Sequence, residues 1–273
     1  MNYPFLKGHG TENDFVLLPD HDGSLHGDLS IERVRALCDR RAGIGGDGVL
    51  RVIRTAALEA GRGQDAEWFM DYRNHDGSLS EMCGNGIRVF ARHLVEEGLA
   101  DPSQPIPVGT RDGVKVLTLG ADGLVTADLG TPKVLGDTEV SVPGHTWRAR
   151  HIDLGNPHAV AFVDALEHAG PLLEAPAHDV GVYSAGVNVE FVVRRGPQHV
   201  AMRVHERGSG ETRSCGTGAC AVMVAAALAD DAPRGTAYTV DLPGGTLSIT
   251  WTTDDRVLMT GPALIVARGT TAL

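Results

Sequence analysis

Two cysteines stand where a thiol can do chemistry. Cys83 lies in SEMCGNGIRVFARHL and Cys215 in RSCGTGACAVMVAAAL. Each is followed by a glycine, a small polar residue and a second glycine, and then by a helical run. A thiol on the doorstep of a helix sits beside backbone N–H groups that have no carbonyl within the helix, at the positive end of the helix dipole. Both effects favour thiolate. A dipole effect of up to ~2 kcal/mol brings a thiol from about 8.5 to near 7. Two facing thiolates repel, so such a pair shares one proton and titrates as a unit. One cysteine is then a base and the other an acid. On opposite faces of a carbon acid they remove a proton from one side and deliver one from the other, inverting the centre without a cofactor.

The carbanion formed on the way needs its charge stabilised. The backbone N–H groups of Gly84, Asn85, Gly216 and Thr217 suit a carboxylate next to the reacting carbon. Glu206 and Arg207, neighbours of opposite charge, suit an ammonium and a carboxylate. The residue types therefore point to an amino acid substrate.

The two cysteine segments belong to a longer repeat. Nine residues before each cysteine lies a polar residue at the end of an expected strand, Asn74 in one half and Glu206 in the other. NDFV at Asn13 and NPHAV at Asn156 each open with asparagine in a turn before an apolar strand. This weak duplication predicts two domains of one fold related by a pseudo-twofold axis, with the cysteines opposed across the cleft between them.

The elements that must carry these residues are few helices and many strands. Ser30 caps an expected helix with Ile31, Val34, Leu37 and Cys38 on one face, ending near Arg41 and Gly43. After Cys83, residues Ile87, Phe90, Ala91, Leu94 and Val95 form one apolar stripe that stops at Gly98. After Cys215, Ala219 to Ala229 is apolar all round, the pattern of a helix enclosed on every side. AEWFMDYRN and HVAMRVHER alternate as strands, and GTLSITW and RVLMTG flank TTDD as a hairpin. The fold class expected is α/β (α+β), two like domains each with a mixed, barrel-like sheet around a central helix. The first covers 1–119, joined by a returning strand at about 263–273, and the second covers 120–262. LGADGLV, 119–125, is read as the turn between them or as one more hairpin.

Bulk properties fit that picture. The 273 residues favour two domains, 42% of them are hydrophobic and 22% charged, and the formal net charge is -11. A polyanion is repelled, which argues against nucleic acid as a partner. No signal-like apolar segment opens the chain, and the longest apolar run is too short to span a membrane, so a cytosolic protein with no membrane partner is expected. Four cysteines in a chain of this length do not form a disulfide scaffold. Cys38 and Cys220 sit at apolar helical positions and read as small core residues. Cys215 and Cys220 lack C-x-x-C spacing, which argues against zinc or a redox dithiol. GIGGDG matches a dinucleotide fingerprint in letters, yet it follows a helix and precedes a strand, the reverse of the required context.

The long blocks YRNHDGSLSEMCGNGIRVF, GNPHAVAFV, VNVEFV and ERGSGETRSCGTGACA, together with GHGTENDFV and DLPGGTL, resemble the signature blocks of diaminopimelate epimerases along nearly the whole chain. The resemblance implies a cofactor-independent epimerase, with no metal, that interconverts L,L- and meso-diaminopimelate for lysine and peptidoglycan synthesis. It implies a homodimer and assigns Cys83 and Cys215 as the acid/base pair. By the same match Asn13, Asn74, Asn156, Asn188, Glu206 and Arg207 bind substrate, Gly84, Asn85, Gly216 and Thr217 hold the reacting carboxylate, and His158 and Glu206 tune the thiols. Two positions depart from the pattern of many members, Glu12 in place of glycine and Gly48 in place of glutamine. The enzyme alternatives are a two-cysteine proline or hydroxyproline racemase and a phenazine-biosynthesis type isomerase. Glu206 with Arg207 favours a substrate with a second charged end, which proline lacks. A non-catalytic amino acid binding protein has no need of two opposed thiols.

Overall fold

The computed structural model describes residues 2–273. It divides into two compact units, one of residues 2–127 with 261–273 and the other of residues 128–260.

The first unit begins with β1 (Tyr3–Gly10), β2 (Asn13–Pro19), α1 (Ile31–Cys38), β3 (Gly48–Arg54) and β4 (Trp68–Asn74). It continues with α2 (Gly84–Glu96), β5 (Ile106–Thr110), β6 (Gly113–Leu119) and β7 (Val125–Asp128). The second unit contains β8 (Lys133–Val142), β9 (His145–Asp153), β10 (Pro157–Phe162), β11 (Ala177–His178), β12 (Asn188–Gly196) and β13 (His199–Glu206). After these come β14 (Gly210–Thr212), α3 (Gly216–Ala229), β15 (Ala237–Leu242), β16 (Gly245–Trp251) and β17 (Val257–Gly261). The last strand, β18 (Leu264–Thr271), pairs antiparallel with β1 in the first unit. Among the described residues strands dominate and three α-helices accompany them, an α+β fold.

Strand pairing repeats from unit to unit. In the first, β18–β1 and β1–β2 are antiparallel, β2–β3 parallel, β3–β4 antiparallel, β4–β5 parallel, and β5–β6 and β6–β7 antiparallel. In the second, the run β8–β9–β10–β12–β13–β15–β16–β17 follows the same order of antiparallel and parallel contacts. The chain end β18 thus plays in the first unit the part that β8 plays in the second. Each cysteine helix is the crossover between a parallel strand pair, α2 between β4 and β5 and α3 between β13 and β15. A parallel pair needs such a crossover, which is why a helix falls at the same place in both units.

Each sheet encloses its helix. α2 packs on β1, β2, β3, β5 and β18, and α3 on β9, β10, β12, β13, β15 and β16. Ile87, Phe90 and Leu94 are fully buried, each worth ~1.5–3 kcal/mol of transfer free energy. The enclosure of α3 matches its all-round apolar sequence, since Gly218 to Ala227 are all buried. α2 is more enclosed than its single stripe suggests. Arg88, Val89 and His93 are buried on its other faces, while Val95 is only half-buried. Close approach by β1 explains this: a Cβ at Gly8 would lie 2.7 Å from Val89 Cγ1. Burial without a partner for either ring nitrogen among the described residues lowers the His93 pKa to about 4.

Other local expectations shift. α1 is capped by Ser30, whose Oγ accepts the Arg33 N–H, but it stops at Cys38 and leaves Ile31 exposed. The loop after it takes over the last carbonyls, with the N–H groups of Ile44 and Gly45 bonded to Leu37 O and that of Gly46 to Cys38 O. Cys38 and Cys220 are buried, as expected of small core residues. LGADGLV is a hairpin turn between β6 and β7, and the change of unit falls after it, at Ala127.

Candidate active site

Cys83 and Cys215 are the N-cap residues of α2 and α3. Both backbones are extended there, and each sulfur accepts the N–H of the second glycine, Gly86 or Gly218, at 3.4 Å. The thiol thus replaces the oxygen of an ordinary serine or aspartate cap.

Around Cys83 the β1–β2 turn supplies the contacts. Thr11 and Glu12 both have positive φ, 51° and 61°, as a two-residue type I′ hairpin requires. The turn delivers Asn13 to the cysteine: the Cys83 thiol donates to Asn13 Oδ1 at 3.6 Å, and Asn85 Nδ2 donates to the same oxygen at 3.2 Å. Asn13 Nδ2 donates to Asp47 Oδ2 at 2.7 Å, and Asp47 also accepts the Asp14 N–H and the Arg40 guanidinium. Asp47, inside GIGGDG, therefore sets which way the Asn13 amide points. Asn74 ends β4 opposite Gly48 and bonds Ser78 Oγ through Nδ2 at 3.0 Å. Gly48 has no room for a side chain, because a Cβ there would lie 2.5 Å from Arg73 O and 2.6 Å from Tyr72 Cε2.

Cys215 is more deeply set and is 6% exposed. Its thiol and the Thr212 hydroxyl donate to Glu206, and Thr217 Oγ1 lies 3.7 Å from the sulfur. Burial, then the charges of Glu206 and Glu190, push the Cys215 thiol well above its ordinary value. The depressed pKa expected at a helix N-terminus is overturned for this cysteine. Dipole stabilisation is at most about 2 kcal/mol, whereas full burial shifts a group by up to about 3–5 pKa units, and two carboxylates add to that. Burial and the two carboxylates together favour the thiol form of Cys215. Burial also pushes the Glu206 carboxyl up, opposed by its bonds to Thr212 and Cys215.

His158 and Glu190 lie beside this cysteine. Both are fully buried, and His158 Nδ1 is 2.7 Å from Glu190 Oε1 while Nε2 is 3.0 Å from Asn156 Oδ1. A Cβ at Gly218 would be 2.7 Å from Glu190 Oε1 and 3.2 Å from Cys215 Sγ, so the acid and the thiol border one methyl-sized space. Asn188 is a brace: Nδ2 donates to Pro157 O at 3.0 Å and Oδ1 accepts the Arg207 N–H at 2.9 Å. It fixes the turn where Glu206 and Arg207 leave β13, and the exposed Arg207 side chain lies over Gly186. Gly84, Asn85, Gly216 and Thr217 form the first turns of the two helices.

The first unit thus gathers Cys83, Asn13, Gly84 and Asn85, with Asn74 at the end of its strand, and the second gathers Cys215, Asn156, His158, Asn188, Glu206, Arg207, Gly216 and Thr217. Sequence reasoning passed over Asp47 and Glu190. The only signal for Glu190 is a lone acid in the apolar run VNVEFVV.

The profile of the diaminopimelate epimerase family matches residues 5–135 and 150–266. The chain is 59% identical to the diaminopimelate epimerase of Streptomyces coelicolor over 97% of its own length and 94% of the relative's. It is 46% identical to that of Corynebacterium glutamicum over 98% of both. Among solved structures it resembles a hydroxyproline epimerase from Agrobacterium vitis, with a TM-score of 0.72, 16% identity and coverage of 100% of this chain and 93% of that one. A Bacillus anthracis phenazine biosynthesis protein of the PhzF family gives a TM-score of 0.72 at 14% identity over the full length of both. At such identities these two likenesses concern the fold.

Proposed function

Because the chain belongs to the diaminopimelate epimerase family, we propose that it interconverts L,L- and meso-diaminopimelate, using Cys83 and Cys215 as the proton-transfer pair and no cofactor. The observation that carries the catalytic assignment is the twinned thiol cap, the same sulfur-to-glycine contact at the start of the same crossover helix in both units. Cys215, held protonated, enters as the acid, and Cys83 as the base that takes the α-proton. In the return direction the roles exchange, since each transfer leaves the other sulfur protonated. The first-turn N–H groups of Gly84, Asn85, Gly216 and Thr217 stabilise charge developing on the reacting carboxylate.

Asn13, Asn74, Asn156, Asn188, Glu206 and Arg207 hold the rest of the substrate in this reading. Glu206 serves twice, as a partner for Cys215 and as a carboxylate for the substrate's ammonium. Asn188 contributes by fixing the backbone of Arg207. The reaction serves lysine and peptidoglycan precursor synthesis in the cytosol, and the working form is a homodimer, which sedimentation of the purified protein tests. Among the described residues no helix is long and apolar enough to cross a membrane.

The decisive experiment incubates reduced, cofactor-free protein with L,L-diaminopimelate in D2O, separates the stereoisomers by chromatography and reads their deuterium content by mass spectrometry. Meso product with deuterium at one α-carbon is expected. Exchange into proline or hydroxyproline alone would keep the two-thiol chemistry and overturn the substrate. Binding of diaminopimelate with no exchange would leave a binding protein.

A further inference from the structure

Next to Cys215 lies a buried acid whose hydrogen bonds the two-thiol scheme does not use. Glu190 has no exposed surface, and its Oε1 is 2.7 Å from His158 Nδ1. His158 in turn reaches Oδ1 of the half-buried Asn156 through Nε2 at 3.0 Å. The second carboxyl oxygen, Oε2, is buried with no hydrogen-bond partner among the described residues. The other titratable groups felt here are His151 on β9, Tyr183 ahead of β12, Glu206 on β13 and Cys215. Burial lowers the His151 pKa and raises those of Tyr183, Glu206 and Cys215. Among the described residues, His158 is the side chain hydrogen-bonded to Glu190.

Two proton counts fit the first contact and only one fits both. With a bare carboxylate and a neutral imidazole, Nδ1 carries the hydrogen, Nε2 is an acceptor, and it faces another acceptor, Asn156 Oδ1. That count also leaves an ionised, unpartnered Oε2 in the interior, which burial strongly disfavours. With one more proton in the pair, on Oε1 or on Nδ1, Nε2 carries a hydrogen and donates to Asn156 Oδ1. Burial, which pushes the Glu190 carboxyl up, favours the same count.

We propose that Glu190 is a positioning residue: it keeps this proton in the Glu190–His158 pair, so that His158 holds Asn156 by its carbonyl oxygen and turns the Asn156 amide N–H2 toward the substrate as a donor. The proposal rests on the substrate-binding role given to Asn156 above. Glu190 touches no reacting atom; it fixes the direction of a chain of hydrogen bonds whose last member does the binding. Loss of the proton at high pH reverses the chain, because Nε2 then accepts and Asn156 must present its oxygen outward.

Glu190→Gln and Glu190→Leu separate this from a packing role. A glutamine amide donates to Nδ1 and preserves the direction without a titratable proton, whereas leucine preserves bulk only. Glu190→Gln is expected to keep the KM for diaminopimelate near that of the unmodified enzyme at pH 7 and to remove the rise in KM at alkaline pH. Glu190→Leu is expected to raise KM about tenfold, with kcat changed less. In 15N-histidine-labelled protein, with the His158 signals assigned by their loss in His158→Gln, Nε2 should be protonated at pH 7.5. A bare Nε2 at that pH overturns the proposal, as does an alkaline KM rise that persists in Glu190→Gln or a KM in Glu190→Leu equal to that in Glu190→Gln. If diaminopimelate is not turned over at all, the proposed function fails, and the nitrogen spectrum still decides where the proton lies.

Discussion

The Cys83 thiol lies 3.6 Å from Asn13 Oδ1, an oxygen that also accepts Asn85 Nδ2, while the Asn13 amide nitrogen is held by Asp47. The contact fixes the Asn13 amide with its acceptor toward the sulfur. It therefore supports the thiol form of Cys83 and must be given up or lengthened when Cys83 becomes thiolate. Asp47 keeps the amide from turning over. Asp47→Asn weakens that hold and loosens the ion pair with Arg40. The expected result is a fall of about tenfold in kcat/KM for epimerisation, with the melting temperature changed by a few degrees. Unchanged kinetics in Asp47→Asn would remove Asp47 from the supporting structure of the site.

The two glycines that follow the cysteines by three residues are not equivalent. A methyl group at Gly86 meets Leu50 Cδ2 at 3.3 Å and Phe15 Cζ at 3.4 Å, contacts that small side-chain shifts relieve. At Gly218 it meets the Glu190 carboxyl at 2.7 Å and the Cys215 sulfur at 3.2 Å. Gly86→Ala should be close to neutral in stability, since alanine favours a helix by about 1 kcal/mol over glycine and offsets the tight fit. Gly218→Ala should lose at least tenfold in kcat by displacing the acid or the thiol. Thermal melting and steady-state rates on both variants check this asymmetry.

How much of this was legible in the sequence varies with the range of the forces involved. The thiol caps are local: a cysteine, two glycines and a helical run suffice to place them. Strand ends at Asn74 and Glu206 were also readable, because alternation stops there. The burial of Arg88 and His93 was not, because it depends on β1 and β18 closing over α2 from 80 residues before and 170 after it. The thiol chemistry shows the same limit. A helix N-terminus lowers a cysteine pKa locally, but Glu206 and Glu190 arrive at Cys215 through β13 and β12, and their effect with burial reverses the sign. Glu190 itself was hidden because β12 is buried on both faces, so an inward acid breaks no alternation.

The departure at Glu12 bears on stability. Glu12 is exposed and held at a φ of 61°, where a residue with a Cβ is strained by about 1–2 kcal/mol. Its backbone N–H donates to His9 Nδ1 at 3.3 Å, a bond that any residue makes. Glycine removes the strain and costs about 0.5–1 kcal/mol in chain entropy. Glu12→Gly should therefore stabilise the protein by about 0.5–1 kcal/mol, seen as a rise of about 2 °C in Tm. A lower Tm would show that the glutamate side chain contributes more than the strain.

The protonated state of Cys215 predicts an order of chemical modification. A thiol whose pKa is raised in the folded protein is protonated at neutral pH, and only thiolate is alkylated readily. At pH 7.5 iodoacetamide should modify Cys83, half-buried at the start of α2, before Cys215. Cys215 labelling should grow only as the pH rises, because the form that reacts appears above the raised pKa. Glu206→Gln removes one of the two charges that hold the proton on Cys215, so the onset of Cys215 labelling should move to lower pH. Mass mapping of both cysteines over a pH series gives the result. Labelling of Cys215 first in the unmodified protein would reverse the assignment of acid and base, and an onset unmoved in Glu206→Gln would leave burial and Glu190 as the causes of the shift.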